Sequence, residues 1–314
     1  MNHRLTFASL ATTAELERER IAAFSRQQLA SGRAQLAFEE IRSSARLAGA
    51  RLDYTEVVAL VERGMALGEH PLTDYVITAD YADAARYVES APMLGRKHPY
   101  LRVEEIVELH ARATRHTLAA RPGTWRTAVL HAFPNGMMVT PPWLVSIEVA
   151  AYAHHLGQGP AAGISPLLWI AEAHERFERI HPFTAGNGRV GRLIVNLLLQ
   201  RCGFPPFSVR DRDIERYAAC LRRADSKDLW PLATMIARAI LASLQRLSAY
   251  ASSEALHDFA SFANGSERNA LYKAAQRGRL RAVRRAGALL TTQAWIDAYR
   301  ASRTARRPQL VVDG

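Results

Sequence analysis

The sequence has little of the features that mark several common protein classes. It contains two cysteines, Cys202 and Cys220, in 314 residues, and both lie inside helical patterns. A disulfide-based scaffold is therefore excluded, no Cys/His cluster has zinc-site spacing, and both thiols are expected to be reduced and buried. No apolar run approaches the ~18 residues of a membrane span, and no signal-peptide pattern follows Met1. We therefore expect a cytoplasmic protein with no membrane partner.

Acidic residues are scarce towards the C-terminus. Between Tyr272 and Arg307, ten basic residues stand against Asp297 alone, so this segment carries nine of the eleven net positive charges. Such a concentration of charge favours a polyanionic partner, and DNA is the candidate. The alternative is a solvated basic face on a helical cap.

The rest of the composition supports a large folded body. Hydrophobic residues make up 48% of the chain, which is ample for a substantial core. The length fits two domains, or equally one large helical body with a small appendage. Apolar residues recur at helical spacing through most of the chain, so the sequence predicts a mostly α-helical fold.

One loop between two helical patterns, at residues 181–192, carries most of the recognisable chemistry. Its sequence is HPFTAGNGRVGR, and the apolar stretch that follows is typical of a helix buried in a core. Its glycines let backbone N–H groups approach an anion, and the helix start adds its positive dipole end. Arg189 and Arg192 supply charge for phosphate oxygens, and His181 is placed to take a proton from a hydroxyl. These residues favour a polyphosphate site beside a histidine base; an ordinary turn with a structural histidine is the alternative.

The order His-Pro-Phe-x-x-Gly-Asn-Gly-Arg-x-x-Arg closely resembles the signature of the Fic family. Members of that family transfer a nucleoside monophosphate, typically AMP from ATP, to protein hydroxyls. The resemblance extends over residues 35–245 and implies a Fic-type helical bundle with a short β-hairpin flap. It also implies that His181 is the catalytic base and that ATP is the substrate. The residues that would bind the nucleotide phosphates are Gly186, Asn187, Gly188, Arg189 and Arg192.

Two further features resemble parts of Fic proteins that contact substrates. Residues 122–126 (PGTWR) and 140–142 (TPP) resemble the flap, which would bind a target protein by adding it as a strand. A solvent-exposed hairpin without a client is the alternative. Tyr217 resembles the tyrosine that contacts the nucleotide base, and packing on the core is the alternative for it. The residues of the flap expected to bind the target are Met137, Met138, Val139 and Thr140, which follow a turn at Pro134-Asn135-Gly136.

The chain departs from the Fic pattern at two positions. The family has an acidic residue at the position of Ala185, where it holds the Mg²⁺ that bridges the phosphates, and a methyl group cannot do so. Fast Mg²⁺-dependent transfer is therefore not expected, and no metal ligand is assigned. Residues 44–49 (SARLAG) resemble the inhibitory motif Ser/Thr-x-x-x-Glu-Gly, but Ala48 replaces the glutamate that pairs with the second arginine of the signature. An ordinary helix end capped by Gly49 is the alternative.

The two departures are consistent with each other, because a site with very slow turnover does not need an inhibitory motif. We expect nucleotide to bind and transfer to be weakened or retuned. The alternative function is that of a non-catalytic regulator, which binds nucleotide and DNA and keeps the Fic fold after the chemistry has gone.

The C-terminal segment from Ser266 onward has the pattern of a helix, two strands and a second helix. It is similar to excisionase-like winged helix-turn-helix modules, although the usual first helix is shortened. We therefore predict three regions: an N-terminal helical region (1–95), a Fic domain (96–250) and a basic C-terminal module (266–314) that is a candidate for DNA binding. The sequence does not identify the target protein, and it leaves open whether the chain forms a homodimer.

Overall fold

The computed structural model describes residues 3–24, 26–91, 100–117, 120–130, 138–251, 257–277, 279–285 and 287–304. The described chain is mostly helical with one small antiparallel sheet, which confirms the predicted fold class. By compactness the chain divides into two units, residues 1–22 with 33–244 and residues 23–32 with 245–314. Most of the predicted N-terminal region and Fic domain lie in the first unit, and the predicted C-terminal module lies in the second. Among the helices of the described ranges, none combines the length and the apolar character needed to cross a membrane.

The N-terminal part of the chain forms four helices, and the local sequence sets both ends of the third. They are α1 (His3–Ala22), α2 (Arg26–Leu47), α3 (Tyr54–Arg63) and α4 (Leu72–Ser90). A capping box starts α3, because Asp53 accepts from the Glu56 N–H (2.8 Å) and Glu56 accepts from the Asp53 N–H (2.7 Å). Gly64 ends the same helix in the left-handed conformation, at φ 66°.

One helix forms the centre of the first unit. The remaining helices that begin in this unit are α5 (Val103–Ala113), α6 (Val145–Gly157), α7 (Pro166–Ile180), α8 (Asn187–Arg201), α9 (Ile214–Asp225) and α10 (Trp230–Ala251). Thirteen of the fifteen residues of α8 are buried, and α4, α5 and α7 pack around it. This confirms the expectation of a helix that is buried on all sides. The conspicuous loop of the sequence thus leads directly into the core.

The second unit combines a sheet with two helices. Its strands are β1 (His257–Asp258), β2 (Val283–Arg285) and β3 (Ala288–Thr291), and its helices after α10 are α11 (Gly265–Gln276) and α12 (Gln293–Thr304). The strands are antiparallel in the order β1-β3-β2, with Val283 opposite Leu290. Phe259, Leu271 and Ile296 are among the buried residues of its core. The predicted order of helix, two strands and helix is confirmed, while the winged-helix assignment stays a prediction.

The predicted flap lies largely outside the described chain. Its turn at Pro134-Asn135-Gly136, and Met137 after it, fall within residues 131–137, which the structure does not describe. The described flanks, residues 127–130 and 138–140, contain no helix or assigned strand.

A buried ion pair joins α5 to the end of α8. Arg201 and Glu105 are 6% and 3% exposed, and both terminal nitrogens of the guanidinium donate to the carboxylate, Nη1 at 3.0 Å. Arg201 also donates to the Tyr100 carbonyl at 2.6 Å. Burial by itself raises the pKa of Glu105, but the hydrogen bonds and the charge of Arg201 outweigh burial, and the pKa is lowered. The carboxylate is therefore ionised in the folded protein at neutral pH.

We expect Glu105→Gln to lower the free energy of unfolding by about 3 kcal/mol at pH 7, because the Arg201 charge then stays buried without its counter-ion. Urea-induced unfolding followed by circular dichroism measures the loss. The matched control is Arg223→Met, which removes one partner of the exposed Arg223–Asp228 pair and should cost less than about 1 kcal/mol. Equal losses in the two variants would contradict the importance of burial.

Candidate active site

The candidate site is built on residues 181–186, the loop from α7 to α8, which we call the motif loop. Helix α7 ends at Ile180 because His181 adopts the left-handed conformation, at φ 48°. Gly186 precedes α8 with φ 84°, and a Cβ there would lie 2.6 Å from Thr114 Cγ2, so conformation and space both require glycine. No side chain caps the start of α8, which leaves the N–H groups of its first turn without a side-chain acceptor.

Asn187 closes the motif loop. Its Oδ1 accepts from the Phe183 N–H (2.9 Å), and its Nδ2 donates to the Phe183 carbonyl (2.7 Å). Asn187 is 2% exposed and Phe183 is fully buried. Both hydrogen-bonding atoms of the Asn187 side chain are therefore used within the loop. The contact with a phosphate that is predicted for Asn187 would have to come from its backbone N–H.

The hydrogen bond of His181 fixes which of its ring nitrogens carries the proton. Its Nδ1 lies 3.2 Å from the carbonyl oxygen of Glu178. Because a carbonyl only accepts, Nδ1 carries the proton and Nε2 carries the lone pair. Burial lowers the pKa of His181 to about 4; the hydrogen bond to Glu178 raises it, and the Arg126 charge lowers it further. The imidazole is therefore neutral near pH 7 and able to accept a proton.

Both arginines of the motif lie at the start of α8, and both are 7% exposed. Arg189 Nη1 donates to the Ala113 carbonyl at 2.6 Å. Arg192 donates from Nε to Ser44 Oγ (2.6 Å) and from Nη2 to the Ser44 carbonyl (3.1 Å). The remaining guanidinium nitrogen of Arg192, Nη1, would lie 3.3 Å from a Cβ on Gly188 and so faces the motif backbone. Each of the two cations already has neutral oxygen acceptors, and their role at a phosphate stays a prediction.

Residues 44–49 are both a helix end and a contact for the motif. The α2 helix stops at Leu47, Gly49 has φ 103°, and the Ala50 N–H donates back to the Ala45 carbonyl (3.0 Å), as a capped C-terminus requires. The ordinary helix-end interpretation is thus supported. The same segment nevertheless reaches Arg192 through Ser44, a contact that attention to Ala48 alone missed.

Ala185 offers no ligand for a cation. Its side chain has no oxygen, and its carbonyl is 3.0 Å from His110 Nε2. Within the described ranges, no group of three or more His, Cys, Asp and Glu side chains is arranged to hold a metal ion. The residues present therefore do not fit a carboxylate-held Mg²⁺ at this position.

Comparison with known proteins agrees with this geometry, because residues 100–199 match the Fic/DOC family. This part of the chain is a Fic/DOC domain. The protein adenylyltransferase Fic of Nematostella vectensis is 28% identical over 201 residues, which cover 64% of this chain and 46% of the relative. The protein adenylyltransferase fic-1 of Caenorhabditis elegans is 27% identical over 198 residues, covering 63% and 38%. The chain spans less than half the length of these curated relatives.

Solved structures share the Fic fold. Fic-1 of C. elegans (residues 134–508) superposes with a TM-score of 0.70 at 24% identity, covering 77% of this chain and 72% of that chain. A Fic domain-containing signaling protein of Bacteroides thetaiotaomicron superposes with a TM-score of 0.69 at 20% identity, covering 77% and 96%. At these identities the likeness establishes the fold alone.

Arg126 joins the flap of the Fic domain to the motif loop. It is 2% exposed, and its guanidinium donates to the carbonyls of His181 (2.7 Å), Ala128 (3.2 Å) and Thr140. Its own N–H donates to the Pro182 carbonyl at 2.9 Å. Both described flanks of the flap are thereby fixed beside the histidine.

The described part of the target-binding segment is partly open. Met138 is 86% exposed, and Val139 and Thr140 are half-buried. The Thr140 N–H donates to the Arg179 carbonyl at 3.1 Å. Met138 therefore has a side chain available to a partner, and the target-binding role of the segment stays a prediction.

Tyr217 lies in the core of the first unit. It is 4% exposed, its hydroxyl is hydrogen-bonded to His174 Nε2, and its ring packs against His174 and Phe207. This arrangement supports packing on the core, the second role considered for Tyr217, rather than stacking on a nucleotide base.

His110 belongs to the site, although no sequence pattern placed it there. Its Nδ1 accepts from the Gly123 N–H (2.9 Å), so the proton lies on Nε2, which donates to the Ala185 carbonyl. Its ring stacks on Phe183, with centroids 3.5 Å apart and planes inclined by 5°. Burial lowers the pKa of His110 to about 4. The available signal was a histidine on the buried face of an amphipathic helix, which is more often plain packing.

We expect His110→Phe to lower the free energy of unfolding by about 2 kcal/mol at pH 7.5, because it keeps the stack but removes two buried hydrogen bonds. The loss should shrink in acid. The pKa of His110 is about 4 when folded and about 6.5 when unfolded, so wild-type stability falls as the pH drops below about 6.5. Between pH 7.5 and pH 5 the titration of His110 should lower the free energy of unfolding of the wild type by about 2 kcal/mol. The variant lacks this group and should not show that loss.

Urea unfolding at the two pH values measures this difference. His154→Phe, on the exposed face of α6, is the control and should follow the wild type at both. A loss in His110→Phe that is the same at pH 7.5 and pH 5 would contradict a neutral, buried His110.

Proposed function

We propose that this chain is a Fic-type nucleotidyltransferase that moves AMP from ATP to the hydroxyl group of a protein. The observation that carries the proposal is the state of His181. Its Nδ1 donates to the Glu178 carbonyl, so its Nε2 carries the lone pair that a base needs, in the loop that leads into α8. The relatives named protein adenylyltransferases support the same activity.

In the proposed reaction, the oxygen of the target hydroxyl attacks the α-phosphorus of ATP. An O–P bond forms, the bond from the α-phosphorus to the oxygen bridging to the β-phosphate breaks, and pyrophosphate leaves. The hydroxyl proton passes to Nε2 of His181, which is neutral near pH 7 because burial lowers its pKa to about 4.

The start of α8 would bind the phosphates. Its first-turn N–H groups and its dipole favour an anion, and the backbone of Gly186, Asn187 and Gly188 lies there. Arg189 and Arg192 now donate to neutral oxygens, and phosphate oxygens would replace these acceptors in stronger, charge-assisted bonds. The target would add as a strand along residues 138–140. Because Ala185 provides no ligand for a bridging Mg²⁺, we propose weak or retuned transfer rather than fast transfer.

Incubation of the full chain with ATP labelled at the α-phosphate, in the presence of Mg²⁺, should label the chain itself or an added target weakly. His181→Ala should abolish the label. Ala185→Asp should raise the initial rate at least tenfold, because a carboxylate-held Mg²⁺ is worth about 1.4 kcal/mol or more in the transition state. Autoradiography of gels measures the rate.

Ala185→Asn is the matched control, since it has the size of aspartate without the charge, and it should give no comparable gain. The proposal is wrong if no label depends on His181 in either background and if calorimetry detects no ATP binding. Binding without transfer in both would favour the non-catalytic regulator instead.

A second candidate function, DNA binding by the second unit, is favoured by the surface of α11. Only Leu271 and Ala274 of its twelve residues are buried. Its exposed side chains include Arg268, Asn269, Lys273 and Gln276. Arginine and lysine bind phosphates and guanine, and asparagine and glutamine bind adenine, in a major groove that admits an α-helix. This surface suits a regulator that binds DNA.

We expect the full chain to bind a 20-base-pair duplex, with an affinity that falls at least tenfold between 50 and 200 mM salt. The double variant Arg268→Met/Lys273→Met should weaken binding and flatten the salt dependence, because two phosphate contacts are lost. Fluorescence anisotropy measures both. The control Arg210→Met/Arg223→Met removes two exposed charges from the first unit and should bind as the wild type does. Equal loss in both double variants would contradict an α11 interface.

A further inference from the structure

Glu178 lies close to His181, to which the proposed reaction gives a positive charge, and to Arg192. Its Oε2 is 3.9 Å from His181 Nδ1, and its side chain is 15% exposed. On the other side, a Cβ on Gly191 would come within 2.8 Å of its Oε1, so the carboxylate lies directly over the first turns of α8. Arg192 is near enough to lower the pKa of Glu178 by its charge. The absence of a side chain at Gly191 is what leaves room for the carboxylate.

The proposed reaction places a positive charge on His181 in an unfavourable setting. The ring is buried, with its side chain 14% exposed, and the Arg126 guanidinium nearby disfavours a second cation. The hydrogen bond from Nδ1 to the Glu178 carbonyl orients the ring but supplies only a dipole. A carboxylate within about 4 Å in a partly desolvated site stabilises a cation considerably more.

We propose that Glu178 is a positioning residue for the transfer reaction, in which its ionised carboxylate supports the imidazolium that forms on His181. This proposal rests on the proposed function. The proton of the target hydroxyl goes to His181 Nε2 and stays there until product leaves. Glu178 takes no proton in the step and contributes only its charge, as the carboxylate partner of a catalytic histidine does.

The environment of Glu178 gives the reaction a pH dependence. Burial raises the pKa of Glu178 to about 7, and the Arg192 charge lowers it. Tyr152 and Tyr217 also face the carboxylate, and burial raises the pKa of each phenol, so both stay neutral around pH 7. The groups that face Glu178 are Arg192 of α8, Tyr217 of α9, Tyr152 of α6 and His181 at the end of its own helix. The support for the imidazolium is therefore present above about pH 7 and lost below it.

Initial rates of transfer from labelled ATP, measured on the full chain from pH 5.5 to 8.5, test the proposal. The wild-type rate should rise about tenfold through pH 7. Glu178→Gln should be slower by about tenfold to a hundredfold at pH 8 and nearly independent of pH, with KM for ATP within about twofold of wild type. Glu178→Asp should restore part of the rate and the dependence on pH. Glu172→Gln, an exposed neutralisation on the same helix, should behave as the wild type.

A measurement without turnover separates this inference from the proposed function. The imidazole ¹⁵N shifts of His181 should show a step near pH 7 in the wild type and in Glu172→Gln, because ionisation of the Glu178 carboxyl 3.9 Å away changes the electric field at the ring. The step should be absent in Glu178→Gln. If the step is present and no transfer occurs, the proposed function fails while the coupling stands. A step that persists in Glu178→Gln, or a rate profile in that variant identical to the wild type, overturns the inference.

Discussion

Helices α7 and α8 pack closely at Gly191, and the candidate site depends on that contact. A Cβ on Gly191 would come within 2.8 Å of Glu178 Oε1 and within 3.2 Å of His174 and Phe177. Because the helices are this close, residues 181–186 suffice to turn the chain from one to the other. His181 at the end of α7 then lies beside the start of α8. The packing of α7 against α8 therefore sets the distance between His181, the proposed base, and the start of α8, the proposed phosphate site. The motif loop only connects the two helices.

The loop itself is held by residues outside its own sequence as much as by those within it. Asn187 accepts a hydrogen bond from the Phe183 N–H within the motif. His110 stacks on the Phe183 ring and donates to the Ala185 carbonyl. The Arg126 guanidinium adds four hydrogen bonds to backbone carbonyls. Two are to the flanks of the predicted flap, one is to His181 in the loop, and one is to Ile180 at the end of α7. Such a frame keeps a short glycine-containing loop in one conformation without a metal at its centre.

Charge in the site is balanced without a carboxylate at position 185. Arg192 donates to Ser44, and its charge acts on two carboxyl groups, the buried Glu40 and the partly buried Glu178. Burial raises the pKa of each to about 7, and the Arg192 charge works against that rise. The acidic groups of this site therefore lie behind the arginine and beside the histidine, instead of at the position where the family signature has its acid. That placement suits electrostatic support of the arginine and the histidine better than metal binding.

The sequence by itself determined the features that are written in local patterns. The helical class, the full burial of α8, the glycine at the start of that helix and the replacement of the acidic residue by Ala185 were all readable, because each depends on residues that are near in sequence. Only the tertiary structure decided what each side chain contacts. Ser44 contacts Arg192, which is 148 positions away in sequence, and His110 contacts Ala185, which is 75 positions away. Periodicity in the sequence could therefore not predict either contact. The same holds for Tyr217, whose two candidate roles the sequence left open and whose burial against His174 favours packing on the core. A spacing pattern fixes the direction of a side chain on its own helix, whereas the partner comes from how the helices pack.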